Sequence, residues 1–343
     1  MPPDLTTGWD LGGAHLKAAQ AGRDGRLVTV LQVPCRLWLG MDEFTRSLEE
    51  AQRQLRPARR HAVTMTGELA DLFADRAEGV ARLSQAMMAA FPDGDLRFYA
   101  GDRGFVTAVG FWREIASANW HSSARLVASR SRSALFVDVG STTTDIVPVR
   151  DARVDAVGYT DDERLMSEEL VYTGATRTPV MAVADAVPFF GQRQRLMAEH
   201  FATMADVHRL TGNLPEDADQ LPTADGRGKS REDSARRLAR MLGRDLGSAA
   251  MDDWRRLAAH LSERQLQILQ SAVDRILSRG IIGDDVPIVG AGVGRFLARR
   301  LAQRLHRPYV DFADLVQGEA VAREWAARCA PAVALAILAA ESW

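Results

Sequence analysis

The stretch Asp138-Val-Gly140-Ser141-Thr142-Thr143-Thr144-Asp145 decides the fold, and its acid–glycine spacing also occurs near the N-terminus, in Asp10-Leu-Gly12-Gly13-Ala-His-Leu-Lys17. Each stretch emerges from an apolar run and leads into another, which predicts two β-hairpins. Neither has the Walker spacing of a P-loop, and neither opens a helix. Glycines let backbone N–H groups approach phosphate oxygens, and an aspartate can hold Mg²⁺. Two such hairpins far apart predict two halves that close on one phosphate.

The two loops supply the candidate ligands. One acid–glycine turn alone fits an ordinary hairpin equally well, because aspartate and glycine favour tight turns. A second copy rich in threonine favours binding, since hydroxyls and a lysine add hydrogen-bond donors. We expect Asp10 and Asp138 to hold the metal ion. The candidate phosphate-binding residues of the loops are Gly12, Gly13, Lys17, Gly140, Ser141, Thr142, Thr143 and Thr144.

A glycine turn follows much later, in Val286-Pro-Ile-Val-Gly290-Ala-Gly292-Val-Gly294, and the next residues carry leucines at helical spacing. The pattern predicts strand, turn and helix, with the leucines packed on a sheet. Glycines at such a junction can admit a nucleotide near a helix N-terminus. The spacing departs from the dinucleotide fingerprint, because Arg295 stands at its third glycine position. Close helix–sheet packing is the alternative explanation for these glycines.

In this order, the hairpins and the glycine turn resemble the superfamily of sugar kinases, heat-shock chaperones and actin, over essentially the whole chain. The resemblance implies an α/β protein with the two-lobed actin-like (ribonuclease H-like) ATPase fold and a central cleft. We expect a first lobe at 1–129, completed by a C-terminal helix at 319–343. The second lobe then spans 130–318, with a helical insertion around 190–280.

A narrower resemblance rests on several strings. Asp138–Ile146 resembles the hydantoinase A and oxoprolinase branch, where Asp-x-Gly-Gly-Thr-x-Thr-Asp strings are typical. The closer likeness is to a protein family linked to the tetrahydromethanopterin one-carbon pathway. It is carried by Gly8–Lys17, Asn119-Trp120, Asp162–Leu165, Glu169–Gly174, Arg177–Pro179 and Arg237–Arg240. One departure is visible, because Glu168 stands where we expect glycine before the Glu-Leu pair.

That family is understood as the methanofuran-biosynthesis synthase, which joins an aminomethylfuran-methyl diphosphate to γ-glutamyltyramine. The resemblance implies these two small molecules as substrates and an alkyl transfer in which diphosphate leaves. It implies Mg²⁺ on Asp10 and Asp138, with the loop donors stabilising the charge on the diphosphate. A free phenol has a pKa of about 10, so a base or a local cation should assist its deprotonation. The candidate catalytic residues are Asp145, Glu169 and Lys17.

Arginines supply further candidate anion ligands. A helix predicted after Ser230 carries a basic face, and Arg237 or Arg240 could pair with diphosphate oxygens or with a substrate carboxylate. A solvated basic face is the alternative for this helix. Arg177 is the second candidate for the anion-binding role.

Composition agrees with a two-lobed cytoplasmic enzyme. The chain has 343 residues, 46% of them hydrophobic, and a formal net charge of −2. Charge near zero gives no support for a nucleic-acid partner. Cys35 and Cys329 are isolated, as in reduced cytosolic proteins. We expect no signal peptide and no membrane partner, because the apolar run at 330–340 is shorter than the roughly 20 residues of a membrane span. That run predicts a buried terminal helix.

Two other functions remain open at this point. An ATP-dependent kinase or hydantoinase-type enzyme on the same fold would use the turn at 290–294 for adenosine. A non-enzymatic nucleotide-gated module is the second alternative. The sequence leaves open whether ATP binds and what the oligomeric state is. The polar stretch at 212–228 offers few apolar residues for a core and is expected to be the least ordered.

Overall fold

The computed structural model describes residues 4–107 and 109–343. The chain divides into two compact units. The first contains the chain as far as Ala134, together with Val149–Asp155 and Val310–Trp343, and the second contains Leu135–Pro148 and Ala156–Tyr309. The expected boundaries at 129/130 and 318/319 differ somewhat from this division. The segment 149–155 differs most, because its short hairpin packs against a helix of the first unit.

The described residues form fourteen strands and eleven α-helices. The strands are β1 Leu5–Leu11, β2 His15–Gly22, β3 Leu27–Pro34, β4 Arg60–Met65, β5 Asp95–Tyr99, β6 Phe105–Val106, β7 Ala134–Val139, β8 Thr144–Arg150, β9 Arg153–Val154, β10 Leu170–Val171, β11 Ala186–Phe189, β12 Gln192–Arg195, β13 Ile288–Ala291 and β14 Tyr309–Asp311. The helices are α1 Met41–Gln54, α2 Arg76–Ala90, α3 Trp112–Ile115, α4 Asn119–Arg130, α5 Asp161–Ser167, α6 Met204–Thr211, α7 Arg231–Met241, α8 Met251–Leu277, α9 Arg295–Arg304, α10 Ala320–Ala326 and α11 Ala330–Ser342.

The first unit is built on a six-stranded sheet in the order β3-β2-β1-β4-β5-β6. Strands β1, β2 and β3 pair antiparallel, whereas β4 pairs parallel to β1 and β5 parallel to β4. This is the ribonuclease H-like strand order that the resemblance implied. The parallel pairing brings the carboxyl ends of β1 and β4 to the same edge of the sheet. The first acid–glycine turn therefore lies beside the residues that follow β4.

Helix α11 packs against β1, β2 and α4, and almost all of its residues are buried. The prediction of a buried terminal helix is confirmed. The helical stretch Ala320–Ser342 is by length and composition sufficient to cross a membrane, but 72% of its most apolar window is buried inside the protein. This is the pattern of a core helix, since every face of α11 meets apolar neighbours.

The second unit has a sheet in the order β10-β8-β7-β13-β14, with β9 paired to β8. Strand β13 runs parallel to β7, and the predicted turn and helix α9 follow it directly. Leu297 and Leu301 of α9 are fully buried against this sheet. The strand, turn and helix expected from the glycine pattern are confirmed.

The helical insertion consists of α6, α7 and α8 with the β11–β12 hairpin, around a core that includes Trp254. The polar stretch at 212–228 is held in place more than its composition indicates. Leu214, Ala218 and Leu221 of this stretch are buried. Its carboxylates pair with the helices, as in the contact of Asp219 with Arg209. A small apolar cluster and charge pairing together hold this stretch.

Candidate functional site

The turn of the second unit closes between β7 and β8. Gly140 N donates to Thr143 O at 2.9 Å, so the chain reverses within four residues. Ser141, Thr142 and Thr143 are partly exposed, whereas Thr144 is buried and donates its hydroxyl to Thr173 O. The predicted hairpin is confirmed, and its exposed face carries hydroxyl groups.

The turn of the first unit closes in the same way between β1 and β2. Gly12 N donates to His15 O at 3.0 Å. In both units the glycine lies two residues after the aspartate, and its N–H meets the carbonyl three residues later. A Cβ built on Gly13 would meet nothing within 4 Å, so this backbone borders open space. The sequence duplication is thus a duplication of turn geometry.

Asp10 is a buried acid at the first turn, with 2% of its surface exposed. Lys17, its cross-strand partner, approaches Asp10 Oδ2 at 3.3 Å. Among the described residues, Asp10 Oδ1 has no hydrogen-bond partner, and the same holds for the buried hydroxyl of Thr64, the residue in register with Asp10 on β4. A buried carboxylate oxygen left unpaired is costly, so a cation bound here would satisfy it.

Glu68 is a second buried acid at this edge of the first sheet, and the sequence analysis missed it. It lies in a short 3₁₀ helix just after β4 and accepts a hydrogen bond from the Ser117 hydroxyl at 2.8 Å. No group of three or more His, Cys, Asp or Glu side chains suited to a metal occurs among residues 4–107 and 109–343. A metal ion on Asp10 would therefore need further ligands from water or substrate.

The segment 173–178 is hydrogen-bonded to the second turn. Ala175 N donates to Gly140 O, and Arg177 N donates to Ser141 O, both at 2.9 Å. The hydroxyls of Ser141 and Thr176 are 2.9 Å apart, and Arg177 Nη1 donates to Thr142 Oγ1 at 3.1 Å. Of this segment, only Arg177 was predicted as a site residue. The structure brings it to the turn.

A glycine makes the approach of the two segments feasible. A Cβ on Gly174 would lie 2.6 Å from the carbonyl group of Ser141, too close for any other residue without a shift of backbone. Gln265 of α8 then anchors this point, donating from Nε2 to Gly174 O at 2.8 Å and to Thr173 Oγ1 at 2.9 Å. The helical insertion therefore reaches the segment behind the turn through this amide, in addition to the backbone contacts of α6 with Thr176 and Thr178.

The orientation of the Gln265 amide determines which ring nitrogen of its partner His208 carries a hydrogen. Because Gln265 Nε2 faces two acceptors, its Oε1 must be the atom that lies 2.8 Å from His208 Nε2. His208 Nε2 therefore carries a hydrogen and donates it. Its Nδ1 is buried with no hydrogen-bond partner among the described residues, and burial lowers the pKa of His208 to about 4. His208 is neutral near pH 7 and serves structure, which a sequence scan for metal ligands could not show.

Asp145 and Glu169 were both candidate bases, and they differ in their contacts and in their exposure. Asp145 Oδ1 forms an ion pair with Arg164 at 3.0 Å, and the same guanidinium donates to Glu169 O. Arg164 is fully buried and holds the Asp145 carboxylate in one position. Asp145 keeps part of its side chain exposed, 13%.

Glu169 is enclosed on all sides, with 0% of its surface exposed. Its carboxylate accepts hydrogen bonds from Val157 N and Gly158 N and pairs with Arg279 Nη1 at 2.9 Å. These contacts use both oxygens and join the loop before α5 to the end of α8. The geometry gives Glu169 a structural task, and we do not carry it forward as a base.

Asp138 is the penultimate residue of β7 and lies beside the late glycine turn. Gly292 has a φ of +83°, and a Cβ on it would lie 2.1 Å from Val139 O and 2.4 Å from Asp138 Oδ1. Gly294 N donates to Val139 O at 2.8 Å, and Gly290 packs against the ring of Tyr309. Close packing therefore accounts for all three glycines without a nucleotide.

Arg237 and Arg240 lie in α7 of the insertion. Arg237 is fully buried and donates to Asp206 at 2.7 Å and to Asp225 at 3.0 Å. Arg240 comes within 4.0 Å of Asp225 as well. Arg237 holds the insertion together, so we do not carry it forward as an anion ligand. The prediction failed for Arg237 because its paired aspartates lie on other elements, whereas the anion-binding role of Arg240, whose side chain is 42% exposed, stays a prediction.

A family model described as hydantoinase/oxoprolinase matches residues 59–338. The chain belongs to the hydantoinase/oxoprolinase family. The matched range begins after the first turn and includes the second turn with its supporting segment.

Two curated relatives indicate which branch of the hydantoinase/oxoprolinase family the chain resembles. The (4-{4-[2-(gamma-L-glutamylamino)ethyl]phenoxymethyl}furan-2-yl)methanamine synthase of Methanocaldococcus jannaschii is 32% identical over 84% of this chain and 86% of the relative. The synthase of the same name from Methanococcus vannielii is 33% identical over 36% of this chain and 54% of the relative. The resemblance stated from the motifs is confirmed. The protein is an enzyme of the synthase type, so a non-enzymatic module no longer describes it.

A solved structure of acetone carboxylase, from a study of ATP-dependent acetone carboxylation, has a TM-score of 0.57 to this chain and is 11% identical. The match covers 97% of this chain and 70% of that chain. At this identity the similarity concerns the fold alone. Together with the strand order of the first unit, it confirms the predicted α/β fold of the actin-like superfamily.

Proposed function

We propose that this protein is a transferase of methanofuran biosynthesis, which condenses an aminomethylfuran-methyl diphosphate with γ-glutamyltyramine and releases diphosphate. The observation that carries the proposal is the 32% identity to the Methanocaldococcus jannaschii synthase over most of both chains. The name of that enzyme describes a phenoxymethyl ether on a furan ring. Such an ether forms when a phenol oxygen attacks the furfuryl carbon.

In the proposed reaction, the C–O bond between furfuryl carbon and diphosphate breaks, and its electron pair leaves with the diphosphate. A C–O bond forms between the same carbon and the phenol oxygen of γ-glutamyltyramine. The phenol proton passes to a base of the protein. Atoms and electrons balance without an oxidant, a reductant or ATP.

The turn of the second unit is our candidate for the diphosphate site. It presents the hydroxyls of Ser141, Thr142 and Thr143 on its exposed face, and Arg177 reaches Thr142. Hydroxyl groups, backbone N–H groups and a guanidinium are the donors that stabilise a leaving diphosphate. Segment 173–178 fixes these donors in place, so little reorganisation is needed when charge develops.

Mg²⁺ is the implied metal, and Asp10 fits it. The buried Asp10 Oδ1 has no partner among the described residues, and Thr64 places a buried hydroxyl in register with it. Asp10 would hold the ion in the first unit and Asp138 is the candidate in the second, with Lys17 fixing the other oxygen of Asp10. When bound, Mg²⁺ supplies charge neutralisation to the diphosphate.

Asp145 is the proposed acceptor of the phenol proton. The Arg164 guanidinium holds its carboxylate in one position through the 3.0 Å ion pair, while part of the side chain stays exposed. The carboxylate can then accept a hydrogen bond from a phenol and take its proton as the ether forms. Glu169 lacks this access because all of its surface is buried.

The alternative of a hydantoinase-type enzyme is supported by the family match at 59–338, whereas the curated relatives favour the synthase over an ATP-dependent kinase. Gly290, Gly292 and Gly294 are accounted for by packing against Tyr309 and β7. We also propose a cytoplasmic protein that acts on small molecules. Burial raises the pKa of the Cys35 thiol to about 11, which suits a reduced and unreactive cysteine.

The test is diphosphate release from the two substrates in the presence of Mg²⁺ and the absence of ATP, with the ether product identified by mass spectrometry. Wild-type protein should give product, and Asp138→Asn and Asp145→Asn should each lower kcat by about a hundredfold or more. Glu168→Gln, at a partly exposed neighbour of the site acids, is the matched control and should keep activity. Turnover only after ATP is added would refute the proposal.

A further inference from the structure

Tyr172 is a large aromatic residue that the fold leaves outside its core. It follows β10 directly and is 66% exposed, although the residues on both sides of it are more buried. In the pairing of β10 with β8, Val171 lies opposite Thr144 and Leu170 opposite Asp145. The pairing ends at Val171, and the next contact is that of Thr173 O, which accepts the Thr144 hydroxyl. The backbone of Tyr172 therefore lies between two residues that contact β8 where it leaves the second acid–glycine turn.

Arg177 flanks the same turn. Its guanidinium donates to the Thr142 hydroxyl at 3.1 Å, and its backbone N–H donates to Ser141 O. Arg177 follows Tyr172 by five residues, and the segment between them is hydrogen-bonded to the turn, from Ala175 N to Gly140 O and from Thr176 N to Ser141 O. A cation and an exposed aromatic face thus border one hydroxyl-rich turn within a single unit.

The geometry points to Tyr172 and Arg177 as one subsite for a molecule that joins an anion to a flat ring through one carbon. Arg177 and the turn take the diphosphate, and the Tyr172 ring packs against the furan. The choice of furan as the ring rests on the proposed function.

This arrangement makes Tyr172 a specificity residue. A ring packed on a tyrosine gains the ordinary aromatic contact, which corresponds to about a threefold to tenfold gain in affinity over an aliphatic group of similar size. The diphosphate contacts are common to every ester of this kind. Tyr172 should therefore affect the choice among esters, and Arg177 should affect all of them equally.

The experiment measures binding by calorimetry with Mg²⁺ and three probes: inorganic diphosphate, the furfuryl ester of methylenediphosphonate and its isobutyl ester. Wild-type protein should bind the furfuryl ester about threefold to tenfold more tightly than the isobutyl ester. Tyr172→Leu should abolish that ratio and leave inorganic diphosphate unchanged, whereas Tyr172→Phe should keep it. Phe190→Leu, at another exposed aromatic residue of the same unit, is the matched control and should change nothing.

Several results would overturn the inference: no preference for the furfuryl ester in wild-type protein, a ratio that survives Tyr172→Leu, or an equal loss for all three probes. Arg177→Gln should weaken the three probes alike, and an effect on one ester alone contradicts its role. The proposed function fails separately. If Tyr172→Leu removes the ring preference but wild-type protein forms no ether with γ-glutamyltyramine, the subsite stands and the assigned reaction is wrong.

Discussion

Replacing Gln265 by leucine should both destabilise the second unit and loosen its turn. The Gln265 amide makes three buried hydrogen bonds, to Gly174 O, to Thr173 Oγ1 and from His208 Nε2. Leucine has a similar volume but offers none of them. The Thr173 hydroxyl can rotate toward another acceptor, so two groups are left unsatisfied, the carbonyl of Gly174 and the N–H of His208.

Each buried polar group left unpaired costs about 1 to 3 kcal/mol, so the free energy of unfolding should fall by about 2 to 6 kcal/mol. Urea unfolding measures this loss. Gln267→Leu, two residues along the same helix on its exposed side, is the matched control and should change stability by less than about 0.5 kcal/mol. Equal effects of Gln265→Leu and Gln267→Leu would refute the reasoning.

Gln265→Leu should also increase local opening of the turn more than it increases opening elsewhere in the second unit. Gly174 is the residue through which Gln265 fixes the segment under Ser141 and Thr142, so amide hydrogen exchange should accelerate at 140–143 and at 173–178. The β11–β12 hairpin, which forms no hydrogen bond with this amide among the described residues, should exchange as in wild-type protein. Uniform acceleration across the unit would mean that Gln265 serves stability alone.

Three further changes test other contacts. Glu168 ends α5 with a φ of +59°, so Glu168→Gly should stabilise the protein by about 0.5 to 1 kcal/mol in chemical unfolding, whereas Ser167→Gly in the last helical position should not. Folding lowers the pKa of His208 from 6.5 to about 4, so the stability present above pH 6.5 is lost as pH falls toward 4. His208→Gln has no imidazole to protonate, so the free energy of unfolding of this variant should fall by about 3 kcal/mol less than that of wild-type protein between pH 7 and pH 4. Gly292→Ala should cost about 2 to 5 kcal/mol in thermal or urea unfolding because its Cβ would strike Val139 O, and Gly247→Ala, where nothing lies within 4 Å, should be nearly neutral.

The predictions that the structure confirms are those set by local chemistry. An aspartate, a glycine two residues later and flanking apolar runs determine a hairpin within about ten residues of sequence. The same holds for Gly292 and the leucines of α9, and for the apolar run that becomes α11. In each case the residues that form the element also contain the reason for it, so no knowledge of distant partners is required.

The roles that sequence could not assign depend on partners far along the chain. Glu169 is paired with Arg279, and Arg237 with Asp206, and in both cases the partner lies on another element. A carboxylate or guanidinium looks the same in sequence whether it faces substrate or a buried counter-ion. Gln265 is the opposite case, a residue whose role the sequence analysis missed. A glutamine in a long helix carries no signal that it contacts Gly174 from another part of the chain.

Glu168 is the one departure from family expectation that the structure explains. The expected glycine would suit the left-handed conformation at the end of α5, and the glutamate adopts it at a cost in strain. The chain therefore keeps the turn that precedes Glu169 even though the favoured residue is missing. The local geometry is held by the buried contacts of Glu169 and not by the intrinsic preference of residue 168.

The two acid–glycine turns close alike but offer different chemistry. The first turn is held by Cys35 N on Ala14 O and Leu37 N on Gly13 O, and it presents a buried carboxylate oxygen on Asp10 without any hydroxyl in the turn itself. The second is held by segment 173–178 and presents three hydroxyls with Arg177 beside them. A carboxylate oxygen attracts a cation, whereas hydroxyls and a guanidinium attract an anion. The two turns therefore share a backbone geometry but differ in the groups that they offer to a ligand, which is why the sequence repeat alone overstated their equivalence.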